Sequence, residues 1–211
     1  MPGYHKYVFD SLKRVFVGRF DEMYQAENNE GFDAWNQDDL QSRVDVAICN
    51  QILSGRVYEA ILDLGCGKGA LTAHLAQFAH RVIGTDISPT AIDIAGRRYP
   101  KIQFEVLDVS NSELLSNFLQ RELYDSGGPH LIVISQVLSY LETWKELLAN
   151  IAKTPTEVLI VLYVPEEPIG FVKTSEDLQN VLAEYFDELS TFETADRQFV
   201  KHFRSRNMVG I

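Results

Sequence analysis

The 211-residue chain reads as an α/β protein: a doubly wound, mostly parallel sheet of seven strands, closed by a C-terminal antiparallel hairpin and preceded by N-terminal lid helices. Three observations predict this. Strand patterns and amphipathic helix patterns alternate five times between residues 57 and 186. The segments 131–135 and 158–164 are continuous apolar runs, as expected of strands covered by helices on both faces. Two further strands, 188–193 and 199–204, follow about a short turn.

Each element has a local reason. Residues 4–24 carry Tyr7, Val8, Leu12, Val15, Phe16, Phe20 and Met23 at three- and four-residue steps, the mark of a helix with one apolar face, although Gly18 weakens its middle. That stripe serves either core packing or a dimer face. Residues 28–38 are polar, contain Gly31 and Trp35, and read as a loop; 39–53 read as a second helix. The strands 57–64, 81–86 and 102–107 then alternate with helices at 70–79, from Ser88-Pro89 onward, and at 111–124. Serine at the N-cap and proline at the first helical position start the middle one. Ser126-Gly127-Gly128-Pro129 is a stop. Helices at 143–152 and 174–186 follow, the latter opened by the capping box Thr174-Ser175-Glu176-Asp177. Residues 1–54 are thus expected as a helical lid segment on a core of 55–211, one domain overall.

Composition excludes several function classes. Thirty acidic residues against nineteen basic ones give a net charge of −11, and the pI is near 4.9. Such a field repels phosphate backbones and anionic lipid, so no nucleic-acid or membrane partner is expected. Cys49 and Cys66 form no disulfide framework, and no metal-type Cys/His spacing occurs. The start, Met-Pro-Gly-Tyr-His-Lys, lacks an apolar leader region, and no run is long enough to span a bilayer. A cytoplasmic location is expected.

In doubly wound sheets, ligands bind at the carboxyl ends of the strands near the switch point. There the first strand runs into Asp63-Leu64-Gly65-Cys66-Gly67-Lys68-Gly69. Its glycines let backbone approach a ligand, and the helix behind them presents free N–H groups. Asp86 ends the second strand, placed for a carboxylate to take two ribose hydroxyls. Gly65-x-Gly67-x-x-Ala70 also satisfies a dinucleotide fingerprint, but Asp63 suits a cationic ligand group and sits badly beside a pyrophosphate. Asp108 ends the third strand as an acceptor for an adenine amino group.

From Ile61 to Val109, the Asp-x-Gly-x-Gly-x-Gly loop with Asp86 and Asp108 resembles the class I S-adenosylmethionine-dependent methyltransferases, and the C-terminal hairpin resembles that family's reversed last strand. The resemblance implies that Gly65 and Gly67 underlie the methionine moiety, with Asp63 near its ammonium. Asp86 would hold the ribose, Ile87 would pack on adenine, and Asp108 with Val109 would read the adenine edge. Asp33-Ala34-Trp35 and the segment 135–141 resemble the nodulation-type N-methyltransferases. Alanine at 34, Gln136 in place of an acidic residue, and His130 at the head of strand four depart from the expected patterns.

The cofactor, S-adenosylmethionine with product S-adenosylhomocysteine, is therefore expected at Asp63, Gly65, Cys66, Gly67, Asp86, Ile87, Asp108, Val109, Ser135, Trp35 and Arg43. Cys66 is read as a small packing residue, Arg43 as a partner for the cofactor carboxylate or plain surface charge, and Trp35 as closing over the cofactor or simply packing. Gln136, Tyr140, Glu166 and Tyr24 are expected to meet the acceptor, with Glu167 an alternative to Glu166. No catalytic residue and no metal ligand is assigned. His74 sits mid-helix, His80 in a loop, His130 at an amino end and His202 in the last strand, none suited to a general base; His5 would reach the site only if its helix folds over it. This favours an amine or an already acidic hydroxyl of a small-molecule acceptor, such as a sugar or natural product. A nicotinamide-dependent dehydrogenase and a cofactor- or partner-binding module without turnover stay open as alternatives.

Overall fold

The computed structural model describes residues 5–123 and 127–208. Its first elements differ from the single helix expected over 4–24. One helical turn, α1 (His5–Val8), leads into two short strands, β1 (Phe9–Asp10) and β2 (Val15–Phe16), paired antiparallel. The cause is local. The Asp10 carboxylate accepts the backbone N–H groups of Leu12 and Lys13 at 3.1 and 3.0 Å, a turn that competes with helix. Arg14 and Gly18 then take left-handed backbone at φ 52° and 70°. Tyr4 lies outside the described residues. Only α2 (Phe20–Glu30) is a regular helix here. It overruns the expected start of the loop, which contains a 3₁₀ turn at Ala34–Asn36, and α3 (Val44–Leu53) begins five residues later than expected.

The alternation that follows is β3 (Tyr58–Leu64), α4 (Ala70–Leu75), β4 (Ala79–Asp86), α5 (Pro89–Arg98), β5 (Gln103–Val106), α6 (Ser112–Leu123), β6 (His130–Ser135), α7 (Trp144–Ile151), β7 (Glu157–Tyr163), α8 (Ser175–Tyr185), β8 (Phe186–Glu193) and β9 (Gln198–Ser205). The caps behave as read: Ser88 Oγ accepts the N–H of Ala91, and Thr174 Oγ1 that of Asp177. α4 is shorter than its pattern, and β4 already starts at Ala79, so His80 lies in a strand rather than a loop. Tyr124 and Ser126 lie outside the described residues.

The seven strands are ordered β5-β4-β3-β6-β7-β9-β8. The first five are parallel, while β9 runs antiparallel to both β7 and β8. Strand periodicity explains the all-apolar runs. Ile132 and Ile134 of β6, with Val158, Ile160 and Leu162 of β7, face the layer holding Phe118, Leu147 and Leu182. Leu131, Val133, Leu159 and Val161 face the opposite layer with Val46, Cys49, Leu53, Leu71 and Leu75. Both faces are buried, so neither can be polar. The chain leaves β3 toward β4 and β5 and returns to β6 on the other side, which makes the carboxyl end of β3 the switch point. Among the described residues, no helix is long and apolar enough to cross a membrane.

Candidate functional site

A cavity of about 490 Å³ opens at that switch point, within the usual size of a ligand site. Its floor is the glycine loop. The N–H groups of Gly65 and Cys66 both reach the carbonyl of Thr85, at 2.7 and 2.8 Å, which fastens the loop to the end of β4. Gly65 sits at φ 79°, where an added Cβ would overlap Val137 Cγ2; only glycine fits. Gly67 does not line the cavity. Its Cα lies under Tyr24 and Gln37, with the Tyr24 hydroxyl 2.8 Å from where a Cβ would stand.

Three carboxylates from three adjacent strands face the cavity: Asp63, Asp86 and Asp108. Asp86 is held at both oxygens, by Gly67 N–H at 2.9 Å and Ser88 N–H at 2.9 Å. Burial still raises its pKa, outweighing those donors. Asp63 accepts the Thr72 hydroxyl at 2.6 Å, and burial pushes its carboxyl up to about 6, with the nearby Asp86 adding to the shift. Asp108 is oriented by the N–H and hydroxyl of Ser110. Burial, with Asp86 and Asp63 beside it, drives the Cys66 thiol well up, so it is no nucleophile at neutral pH. Among the described residues, Arg43 is the one lysine or arginine lining the cavity, and Asp45 engages it at two nitrogens, 3.2 and 2.5 Å.

Ile87 and Val109 line the cavity beside the carboxylates, and Ser135 and Gln136 line it from the end of β6. Gln136 has left-handed backbone (φ 61°) and its Oε1 accepts the N–H of Tyr163 at 3.0 Å. Opposite stands an aromatic wall: Tyr140 has its ring centroid 5.4 Å from Phe20, 6.0 Å from Trp35 and 6.3 Å from Phe16. Tyr24 is buried against Trp35, and burial, with Asp86 adding to it, raises its hydroxyl pKa well above the usual value. Glu166 does not line this cavity; its carboxylate meets Arg197 at 3.0 Å. Glu167, the alternative, lines a neighbouring cleft. None of the described histidine side chains reaches the cavity: His74 pairs with Asn50, and His202 with Glu157. The side chain of His5 lies outside the described residues.

Residues unassigned from sequence also matter. Phe16 and Phe20, read there as core packing or a dimer face, line the cavity, as do Phe171 and Glu142. Lys68 is the larger omission. Its ammonium, 2 % exposed, reaches Glu27 of α2, Asp33 at 2.7 Å and Asp38 at 3.0 Å. Its own backbone N–H donates to Gln37 Oε1, while Gln37 Nε2 donates to the Tyr24 hydroxyl. The N-terminal segment is thereby fastened onto the glycine loop. An acid-rich stretch ahead of a lysine inside a glycine loop was the available signal.

A pocket of this kind, with carboxylates at three strand ends and a glycine loop at the switch point, is suited in charge and place to a nucleoside-bearing ligand with a cationic group. Residues 62–155 match the family model described as a methyltransferase domain. Over 69 residues the chain is 38 % identical to a 2-heptyl-1-hydroxyquinolin-4(1H)-one methyltransferase of Mycobacteroides abscessus, a match covering 30 % of each protein. The first curated relatives are each matched over less than a third of their own length. Among solved structures, a SAM-dependent methyltransferase from Anabaena variabilis superposes with a TM-score of 0.69 at 16 % identity, covering 89 % of this chain and 93 % of that one. The N-methyltransferase NodS from Bradyrhizobium japonicum, in complex with S-adenosyl-L-homocysteine, gives 0.64 at 22 %, covering 87 % and 98 %. A methyltransferase domain model thus matches somewhat less than half of the chain, and the chain has the fold of these solved S-adenosylmethionine-dependent methyltransferases.

Proposed function

We propose that this protein is an S-adenosylmethionine-dependent methyltransferase acting on a small-molecule acceptor. One observation carries the reading: Asp63, Asp86 and Asp108 converge on one cavity whose single lining guanidinium is already matched by Asp45. That donor set fits a ligand with an ammonium, a ribose and an adenine, and repels a pyrophosphate. The same mismatch argues against a nicotinamide dinucleotide. Asp86, aimed by two backbone N–H groups, takes the ribose hydroxyls; Asp63 takes the ammonium; Ile87 and Val109 pack against adenine while Asp108 accepts from its edge. Gly65, bare of a side chain, lets the backbone come close beneath the methionine portion.

When bound, S-adenosylmethionine would supply a methyl group on a sulfonium, transferred by in-line displacement. The protein's work is then alignment and exclusion of water. Phe16, Phe20, Trp35 and Tyr140 form an apolar wall suited to the second task. With no described histidine side chain in the cavity, the acceptor is one that needs little help to lose a proton, an amine or an acidic hydroxyl. Residues 5–54 act as the segment that closes the site, fastened through Lys68.

Calorimetry with S-adenosylmethionine, S-adenosylhomocysteine and NAD tests this. Binding of the first two and not of NAD supports the reading, and binding of NAD alone overturns it. Asp86→Ala should weaken binding about ten- to a hundredfold, ~1.5–3 kcal/mol. Production of S-adenosylhomocysteine with a pool of amines and hydroxylated acceptors separates an enzyme from a binding module.

A further inference from the structure

A second cleft, of about 840 Å³, lies beside the cofactor cavity, and the two share Trp35, Arg43, Gln136 and Tyr140. We infer that this second cleft is the acceptor site, and that it takes a neutral or amine-bearing acceptor and rejects anionic ones. The inference rests on the methyltransferase reading and extends it.

Three observations converge. The first is size and place. The carboxylates and the glycine loop give the first cavity over to the cofactor. A reactant that must meet it can do so only across a common wall, and the four shared residues are that wall. The second is strain. Trp35 and Gln136 both hold left-handed backbone, at φ 59° and 61°, a conformation that is strained outside glycine and gathers at functional sites. Gln136 is further pinned by Tyr163 N–H on its Oε1. Its amide nitrogen remains a donor, which can orient a lone pair on the acceptor once that group is neutral.

The third is charge. Among the described residues, the charged ones lining the cleft are Arg43, Asp45, Glu167 and Asp196. Arg43 and Asp45 neutralise one another at 2.5 Å. Glu167 shares its charge with the exposed Arg14 at 3.3 Å. Asp196, on the β8–β9 turn, accepts from the Thr194 hydroxyl. With Arg14 counted, two cations stand against three carboxylates, and the surplus carboxylate, Asp196, lies at the outer rim. The other polar lining groups, including Ser42, Ser139 and Gln198, are uncharged. A carboxylate or phosphate on the acceptor would meet repulsion; an ammonium or a polyol would not.

The experiment uses the full chain saturated with S-adenosylhomocysteine and ligand-observed NMR with matched probes: tyramine against 4-hydroxyphenylacetate, and glucosamine against glucuronate. The amine of each pair should bind about fivefold more tightly than its anionic partner, the size of one solvated charge contact. Glu167→Lys combined with Asp196→Lys, both at exposed rim positions, should reverse that order while S-adenosylhomocysteine affinity stays within about twofold, as expected for solvated rim charges that do not line the cofactor cavity. Equal or tighter binding of the anions to the unaltered protein overturns the inference. So does probe binding that ignores the charge reversal, or no binding by any probe while S-adenosylhomocysteine binds. Failure to bind S-adenosylhomocysteine at all removes the methyltransferase reading, and the acceptor assignment falls with it.

Discussion

Replacing Lys68 with methionine isolates what fastens the N-terminal segment to the glycine loop. Methionine keeps most of the side chain's volume and removes the charge. Of the three carboxylates that lose their partner, Asp38 is 43 % exposed and keeps Arg98 at 2.6 Å, and Asp33 is 29 % exposed. Water re-solvates both at small cost. Glu27 is different. It is 5 % exposed, and burial already raises its pKa even with Lys68 in place. Removing one partner of a buried pair costs about 3–5 kcal/mol. Because Glu27 escapes part of that by taking a proton, the lower figure applies. A loss of ~3 kcal/mol lowers the melting temperature of a chain this size by roughly 6–12 °C. Sign and pH window follow from the carboxyl. Without Lys68 the folded-state pKa of Glu27 rises further above its unfolded value, so the penalty is present at pH 7 and shrinks as pH falls toward 5. Urea unfolding of Lys68→Met at both pH values, with hydrogen exchange over 20–38, reads the effect. Glu27→Gln added to Lys68→Met should recover most of the loss. A variant with unchanged midpoint and unchanged protection over 20–38 would show that the ammonium fastens nothing.

Other expectations follow from individual groups. Asp63, pushed up to about 6 by burial, must be ionised to hold an ammonium. Calorimetric affinity for S-adenosylhomocysteine should therefore be flat above pH 6 and fall up to about tenfold per unit below it; Asp63→Asn should bind weakly at every pH, and a steep slope surviving in that variant would remove Asp63 from the interaction. At the opposite end of the sheet, Glu157 is held to about 2 despite its burial, chiefly by His202 and Tyr58. A carboxyl depressed from 4.5 to 2 contributes ~3 kcal/mol of stability, present above pH 4.5 and lost as pH falls toward 2. Acid titration of unfolding should show that loss in the unaltered protein and not in Glu157→Leu. Gly65→Ala adds a Cβ at φ 79° against Val137 and should cost at least about 2 kcal/mol. Val137→Ala should rescue only the overlap, because the backbone conformation still disfavours alanine; full rescue would show that strain at Gly65 is absent.

What was legible in the sequence divides along a physical line. β6 and β7 were readable because a strand buried on both faces has no polar face to confuse the pattern, and the local apolar run is the whole signal. Ser88 and Thr174 were readable because a cap is chosen by its own neighbours within three residues. That Asp63, Asp86 and Asp108 line one cavity was readable because parallel strands all present their carboxyl ends at the same edge, so position along each strand stands in for position in space. The N-terminal segment defeated the same reasoning. Tyr7, Val8, Phe16 and Phe20 have helical spacing, yet the Asp10 turn breaks the helix and folds the aromatic residues back toward Tyr140, some 120 residues on. Any spacing that gathers rings on one side satisfies that pattern, whether by helix or by hairpin. Lys68 shows the limit most clearly. Nothing within several residues marks it as buried, because the carboxylates that permit its burial lie 30 to 41 residues upstream and approach only once α2 packs beside α5. Glu166 and Glu167 were indistinguishable for a related reason. Adjacent residues on an irregular turn point to different sides, and Arg14 and Arg197, which choose between them, come from opposite ends of the chain. The parts of the site set by strand direction were therefore open to inspection, whereas the parts set by which distant charge arrives to pair had to be seen folded.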